Sequence, residues 1–564
     1  MDYATRSSRR NRAVEGLSRY IVDQGPKPVA RGKAVASTGN SIVTETVTRV
    51  LADGGNAADA AIVGALVQAA VEPHLTSHAG MVSCLYWDAN TGKAYQLNAL
   101  GTLPPDLSPF RPINGVGGWA REGAPGPQAA VPGFMPGLGA LHARFGSKSW
   151  AELCAPAVEW ADKGHPVSSF EYGVNVFAAP FVTYFESGRE VFMPNGFLTP
   201  VGKVVRNPKL ARTLQRLADE GPGYFTTGGW AHAFVAAGNS LGWPIRPDHL
   251  TANPPRWQEP LRFSYRDHEI LALSPPERQG AYCALVLGVM QALGVAEMEP
   301  FGADHIYSMT HALRLGDQAA GFLHDPKFFG EAADVMMDPD YHRSLARLIA
   351  AGRPRVDLTE HVRLTRGASA FAATGWNSAR SKSPVGSCEI SIVDAQGNWV
   401  QMMNTIQSGG IPGIAVDGVF MMGSHEQTSM SAHFANWRVP GARMRNILGN
   451  TLVLKGGTPW LSLGTPGNVY ATVAQMLLHI LEFGMSPDRA SDAPRMLPLE
   501  DDYTLAIESR LTPKTILDLT KLGLTLAPMP GWDWNQGAFQ MCWREGDSLA
   551  ASADYRRTGV AAAI

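Results

Sequence analysis

The chain has 564 residues, 45% of them hydrophobic and 17% charged, with a formal net charge of −2. That length can bury a large core, and the near balance of charge excludes the basic surplus of a nucleic-acid binder. No apolar run is long enough to cross a bilayer, so neither a transmembrane span nor a membrane partner is expected.

The N-terminal cluster Arg9-Arg10-Asn11-Arg12 is followed by Ala13-Val14-Glu15-Gly16 and not by an apolar core. It predicts a frayed basic tail, not a signal peptide. The five cysteines, Cys84, Cys154, Cys283, Cys388 and Cys542, form no CxxC or CxxH pair. They predict reduced thiols and no metal site. A cytoplasmic location and no cofactor are the matching expectations.

The chain holds 59 glycines and 40 prolines, which gather into no linker, and no repeat is visible. Residues 44–71 have helical spacing, interrupted by Gly54-Gly55-Asn56 as a stop and restart. Residues 82–88 and 94–97 predict a hairpin joined by Ala89-Asn90-Thr91-Gly92. Residues 150–345 read as mostly helical, with the clearest signals at 151–163 and 281–293. Residues 355–386 are mostly polar, end in Ser383-Pro384-Val385-Gly386, and predict an exposed loop. From Cys388 the texture changes. Residues 389–394 alternate as a strand, 394–398 form a turn, and 399–406 form a second strand. Further strands are expected at 418–422, 451–454 and 460–463, then a helix at 469–483. The order predicts a layered α/β (α+β) fold with sheets inside.

A loop ending in glycine, then Ser387, then a strand is the arrangement that intramolecular autoproteolysis requires. Gly386 gives a backbone that can distort without a Cβ clash. After acyl shift and hydrolysis, Ser387 would become a chain terminus whose own α-amine serves as general base. That amine titrates near ~8, so a useful fraction is free near neutral pH. A Gly-Ser pair before a strand is common, however, and carries little by itself.

The remaining blocks carry more. Ala34-Val35-Ala36 and Thr44-Glu45 precede Leu51-Ala52-Asp53-Gly54-Gly55-Asn56-Ala57-Ala58-Asp59-Ala60-Ala61, then Val71-Glu72-Pro73-His74. Val131-Pro132-Gly133, Trp150, Pro156-Ala157 and Gly164 follow, then Pro275-Pro276 before Gly280, Asp317 and Asp325-Pro326. The second half has Ser391-Ile392-Val393-Asp394 with Gly397-Asn398, Gly464-Thr465-Pro466-Gly467 and Asp492-Ala493-Pro494-Arg495. Asp554-Tyr555-Arg556-Arg557 with Gly559 closes the series. In this order the chain resembles the γ-glutamyltranspeptidase family over most of its length. The resemblance implies a four-layer αββα sandwich of the N-terminal-nucleophile hydrolases, made as one zymogen. It would be cut into a large subunit, 1–386, and a small subunit, 387–564, which together form one domain and a heterodimer. A higher homo-oligomer is compatible with it.

The family nucleophile is a threonine seven residues before the hairpin aspartate. Counting back from Asp394 places it at Ser387, with Cys388 beside it as the alternative. A second family threonine, which hydrogen-bonds the new α-amine, falls on Thr405. The family oxyanion hole comes from backbone N–H groups of a Ser-Pro-Gly-Gly loop. Here the loop is Thr465-Pro466-Gly467-Asn468, so Gly467 and Asn468 supply those groups. The substrate clamp differs. The family arginine falls on Leu100, its aspartate on Gln427, its paired serines on Asn446-Ile447, and one asparagine on Gln407. Losing an Arg–carboxylate fork removes a bidentate, charge-assisted contact. A buried ion left unmatched costs about 3–5 kcal/mol, so a redesigned recognition half is expected. Arg111, Arg121 and Glu426 lie close enough in sequence to offer substitute charges. Trp399, Met402, Met403, Phe420, Met421 and Met422 could line an apolar site, though at strand spacing about half of them must be core.

Three functions follow. The first is hydrolysis of an amide or acyl bond, or a carbon–carbon bond in a biosynthetic pathway, in a small-molecule substrate that is not γ-glutamyl. The second is true γ-glutamyltransferase or glutathione hydrolase activity, which requires turnover of a γ-glutamyl anilide. The third is a non-catalytic homologue that never cleaves, which requires a single band on denaturing electrophoresis.

Overall fold

The computed structural model describes residues 27–102, 104, 106, 130–183, 185–240, 243–328, 333–352, 387–406, 414–421, 441–443, 448–499 and 504–564. Residues 355–386, with Gly386, lie outside them, as do Gln407, Met422, Gln427 and Asn446 and the charges Arg111, Arg121 and Glu426.

Two seven-stranded antiparallel sheets stack face to face. The first runs Val560–Ala563, Val35–Thr38, Cys388–Val393, Trp399–Thr405, Met81–Asp88, Lys93–Ala99 and Arg256–Gln258. The second runs Ala30–Gly32, Ser548–Ala553, Gln540–Glu545, Thr458–Gly464, Thr451–Lys455, His268–Ala272 and Leu261–Tyr265. Helices Ser41–Ala52, Ala57–Val71 and Phe134–Phe145 cover the outer face of the first sheet. Helices Gln279–Ala292, Ala303–Ala320 and Val469–Leu481 cover the outer face of the second. The result is the four-layer αββα sandwich, with helices outside and both sheets buried.

Local signals explain the sequence-legible elements. Asn56 caps Ala57–Val71 through Asp59 N–H, and the Asp59 carboxylate returns the bond to Asn56 N–H. Two corrections arise. The stretch 150–345 is mostly helical among the described residues, but Arg256–Gln258, Leu261–Tyr265 and His268–Ala272 are edge and near-edge strands of the two sheets, and His165–Pro166 pairs with Val204–Val205 in a small two-stranded sheet. The expected strand at 418–422 is only the two-residue Val419–Phe420, paired with Ala415–Val416. The chain beyond 500 also contributes strands, Gln540–Glu545, Ser548–Ala553 and Val560–Ala563, which extend both sheets.

Period-two alternation sets which side chains enter the sandwich. On the two central strands of the first sheet, Ile390, Ile392, Val400 and Met402 face the helices. Val393, Trp399 and Met403 face the second sheet. Of the apolar residues considered for a site, Trp399, Met402 and Met403 are therefore core, each fully buried.

Candidate active site

Ser387 and Cys388 are consecutive at the start of a strand, so the pleat sends their side chains to opposite faces. Ser387 faces the inter-sheet space, where its Oγ lies 3.0 Å from Thr405 Oγ1 on the neighbouring strand. Cys388 faces the helices. Its Sγ donates to Glu72 Oε2 at 3.4 Å, and burial pushes its thiol pKa well above the ordinary value. A buried thiol next to a carboxyl is poorly suited to form the thiolate that a cysteine nucleophile needs. Glu72 closes helix Ala57–Val71 and also accepts from Gln68 Nε2 at 3.0 Å. Burial raises its pKa too.

The carbonyl of Ser387 accepts from Arg557 Nη1 at 3.4 Å. Arg557 is held by its neighbour, because Arg556 forks onto Glu508 at 2.7 and 2.6 Å and fixes the chain end. The guanidinium of Arg557 lies over Phe170 and Trp534 at 5.3 and 5.5 Å. Burial lowers its pKa to about 10, against the attraction of Cys388 and Glu72. In the sequence Glu72 and Arg557 stand only within family blocks; alternation alone gives neither a role beside Ser387.

The loop Thr465-Pro466-Gly467-Asn468 follows strand Thr458–Gly464 and starts helix Val469–Leu481. Gly467 has φ +86°, a left-handed conformation that favours glycine. The loop therefore presents backbone N–H groups at a helix N-terminus, which suits a developing oxyanion. Thr465 Oγ1 accepts from Ala538 N at 2.8 Å, and Asn468 Nδ2 donates to Gln536 Oε1 at 3.3 Å. The short helix Trp534–Gln536 thus touches the loop at one end. At the other, Trp534 O accepts from Arg557, which also donates to Ser387.

The loop is also tied to the strand after Ser387. Glu389 is 1% exposed between the sheets, and its Oε1 accepts from Gln401 Nε2 at 2.5 Å. Burial raises its pKa well above the carboxylate range. A Cβ on Gly464 would collide with Glu389 Oε1.

Register places Leu100 in the row of Ser387. Ser387 precedes the pair Cys388–Asn404 and so lies opposite Thr405; Thr405 pairs with Met81, and Leu100 follows Ala99, the partner of Val82. Leu100 is 1% exposed and packed in the core between the sheets. The structure therefore brings Ser387 and Thr405 into contact, with Leu100 at the far end of the same row, and connects the Gly467–Asn468 loop to them through Gln536, Trp534 and Arg557.

Comparison with known proteins adds the lineage. The gamma-glutamyltranspeptidase family model matches residues 43–564. The chain is 28% identical to a glutathione hydrolase proenzyme of Pseudomonas aeruginosa, over 94% of each chain. It is 23% identical to the Acylase ACY 1 proenzyme of a Pseudomonas species, covering 94% of this chain and 96% of that one. A cephalosporin acylase from Bacillus halodurans shares the fold with a TM-score of 0.79 at 20% identity, covering 95% and 97% of the two chains. On this family match and this fold, the chain is a divergent enzyme of the gamma-glutamyltranspeptidase family of N-terminal-nucleophile hydrolases.

Proposed function

We propose that this enzyme cleaves its own chain between Gly386 and Ser387 and then hydrolyses an amide or acyl bond of a substrate that is not γ-glutamyl. Residues 1–386 become the large subunit and 387–564 the small one. The contact between Ser387 Oγ and Thr405 Oγ1 carries this reading, because Cys388 faces the other way. Attack by Ser387 Oγ on the carbonyl of residue 386 forms an ester as the C–N bond breaks and frees the Ser387 α-amine; water then hydrolyses the ester, releasing the Gly386 carboxylate and restoring the Ser387 hydroxyl. In turnover that amine takes the Ser387 proton, Thr405 orients it, and the N–H groups of Gly467 and Asn468 hold the oxyanion. The acyl-enzyme on Ser387 is hydrolysed by the same groups.

Leu100 supports the non-glutamyl substrate: an aliphatic side chain there offers no fork to an α-carboxylate. The curated acylase relatives agree with an acyl or amide bond as target, while the glutathione hydrolase relatives favour the alternative. A panel of neutral acyl anilides beside a γ-glutamyl anilide separates them. Turnover of a neutral acyl anilide at least about tenfold above the γ-glutamyl one is expected. Preference for the γ-glutamyl anilide by cleaved protein overturns the substrate assignment.

A further inference from the structure

The strand that carries Ser387 begins beside a buried cation. Arg557 is 3% exposed, and its Nη1 donates to the Ser387 carbonyl at 3.4 Å. The guanidinium is held on its other side as well. Its Nε donates to Trp534 O at 3.4 Å, and it lies over the rings of Phe170 and Trp534. Those rings meet edge to face at 5.8 Å and pack with Leu75, Val174 and Cys388 in one apolar cluster. A cation walled in this way stays in one place and is little screened by salt.

Covalent geometry then sets a distance. Three bonds join the nitrogen of Ser387 to its carbonyl oxygen, so the two atoms are at most about 4 Å apart. Arg557 Nη1 therefore lies within about 8 Å of that nitrogen. In the uncut chain the nitrogen is a neutral peptide N–H, with no charge for the cation to act on. In the cut chain it is an amine, and a fixed positive charge opposes its protonation. At an effective dielectric of about 20, two unit charges ~8 Å apart move a titration midpoint by about 1.5 pH units.

The groups around the guanidinium leave its charge in place. Asp554 is bonded to Arg495 and Arg556. Cys388 keeps its proton, because burial pushes the thiol up. Glu72 lies beyond the Cys388 thiol on the helix side of the strand, and burial favours its neutral form. His74, edge-on to Phe170 at 6.4 Å, is held neutral by burial, which lowers its pKa to about 4. Glu171 and His165, which act on His74, bond to each other at 3.1 Å.

We propose that Arg557 is a positioning residue for acyl transfer: it anchors the first carbonyl of the small subunit and keeps the α-amine of Ser387 free to accept the Ser387 proton at neutral pH. The role rests on the cleavage proposed above, because only the cut chain has that amine.

The test titrates the amine in purified, cleaved protein by trace acetylation with acetic anhydride from pH 5 to 10. Hydroxylamine removes any ester on Ser387, and mass spectrometry reads the peptide that begins there. In wild type the midpoint should lie at least about one pH unit below the ~8 of an ordinary α-amine. Arg557→Met, which keeps the length of the side chain but not its charge, should raise it by at least about one unit. Arg557→Lys should raise it by less than half as much, and Glu72→Gln should not raise it. A looser strand alone would lower activity without moving the midpoint. A wild-type midpoint at ~8 or above, the same midpoint in Arg557→Met as in wild type, or a rise in Glu72→Gln overturns the assignment. The wild-type arm stands if a variant fails to fold or to be cut. Electrophoresis of the same samples scores the hydrolase reading separately. Uncut wild type would sink that reading and this role with it, whereas cut wild type with an unshifted amine would sink only this one.

Discussion

The two ends of one cross-strand row follow different rules. At the Ser387 end, the groups proposed for acyl transfer are hydroxyls or backbone: Ser387 and Thr405, which are in contact, and the N–H groups of Gly467 and Asn468. At the Leu100 end, the row is aliphatic and a buried carboxyl, Glu277, stands one row behind it. Backbone donors survive side-chain change, whereas charged clamps are rewritten with a single substitution. The contrast teaches that chemistry and recognition can diverge independently across a few strand spacings of one sheet.

The strongest way to break the comparison is at the nucleophile. Ser387→Ala should abolish self-cleavage and lower hydrolysis by at least about a thousandfold. If that variant still splits at 386/387, the nucleophile is misassigned. Thr405→Val should cost roughly 10–100-fold in kcat, and Thr405→Ser should restore most of it; an unchanged rate would remove Thr405 from the account. Gly464→Ala forces a Cβ against Glu389 Oε1 and should destabilise by about 1–3 kcal/mol. Adding Glu389→Ala should recover part of that loss; an additive double variant would show that the two residues do not meet.

A smaller effect concerns pH. Burial raises the folded pKa of Glu277 above its unfolded value, so the native state holds the proton more tightly than the unfolded chain. Its contribution is present below pH ~4.5 and falls as pH rises toward about 7. Glu277→Gln should flatten this loss, which is on the order of 3 kcal/mol between pH 5 and 8. Denaturant titrations at the two pH values read it, and a parallel loss in wild type and variant would contradict the burial argument. The smallest effect expected is Cys388→Ala, which should leave cleavage and hydrolysis within about twofold because the thiol faces Glu72. Loss of cleavage there would move the nucleophile to Cys388.

Much of this was legible in the sequence. Alternation across residues 388–405, the Gly397-Asn398 turn and the capping residues Asn56 and Asp59 specified the central hairpin and its covering helices. The γ-glutamyltranspeptidase resemblance located Ser387, Thr405 and the Gly467 loop, and the structure places the two hydroxyls in contact. The strands near 256–272 were hidden because a helical reading of a long segment absorbs short edge strands. Those beyond 540 were hidden because Ala550, Ala551 and Ala553 carry weak strand signals. Glu277 and Glu389 were invisible for another reason. A carboxylate in sequence looks like a solvated charge, and only packing shows that both are buried with amide partners. Residues 407, 427 and 446, expected to reshape the substrate site, lie outside the described residues.

The central claim is that Ser387 is freed as a chain terminus. Intact mass of the purified protein, followed by N-terminal sequencing of the smaller fragment, tests it most directly. Dividing 60.5 kDa in the ratio 386 to 178 gives fragments of about 41 and 19 kDa, and the smaller should begin Ser-Cys-Glu-Ile. A single species of 60.5 kDa after long incubation, or a small fragment beginning at Cys388, would contradict the account.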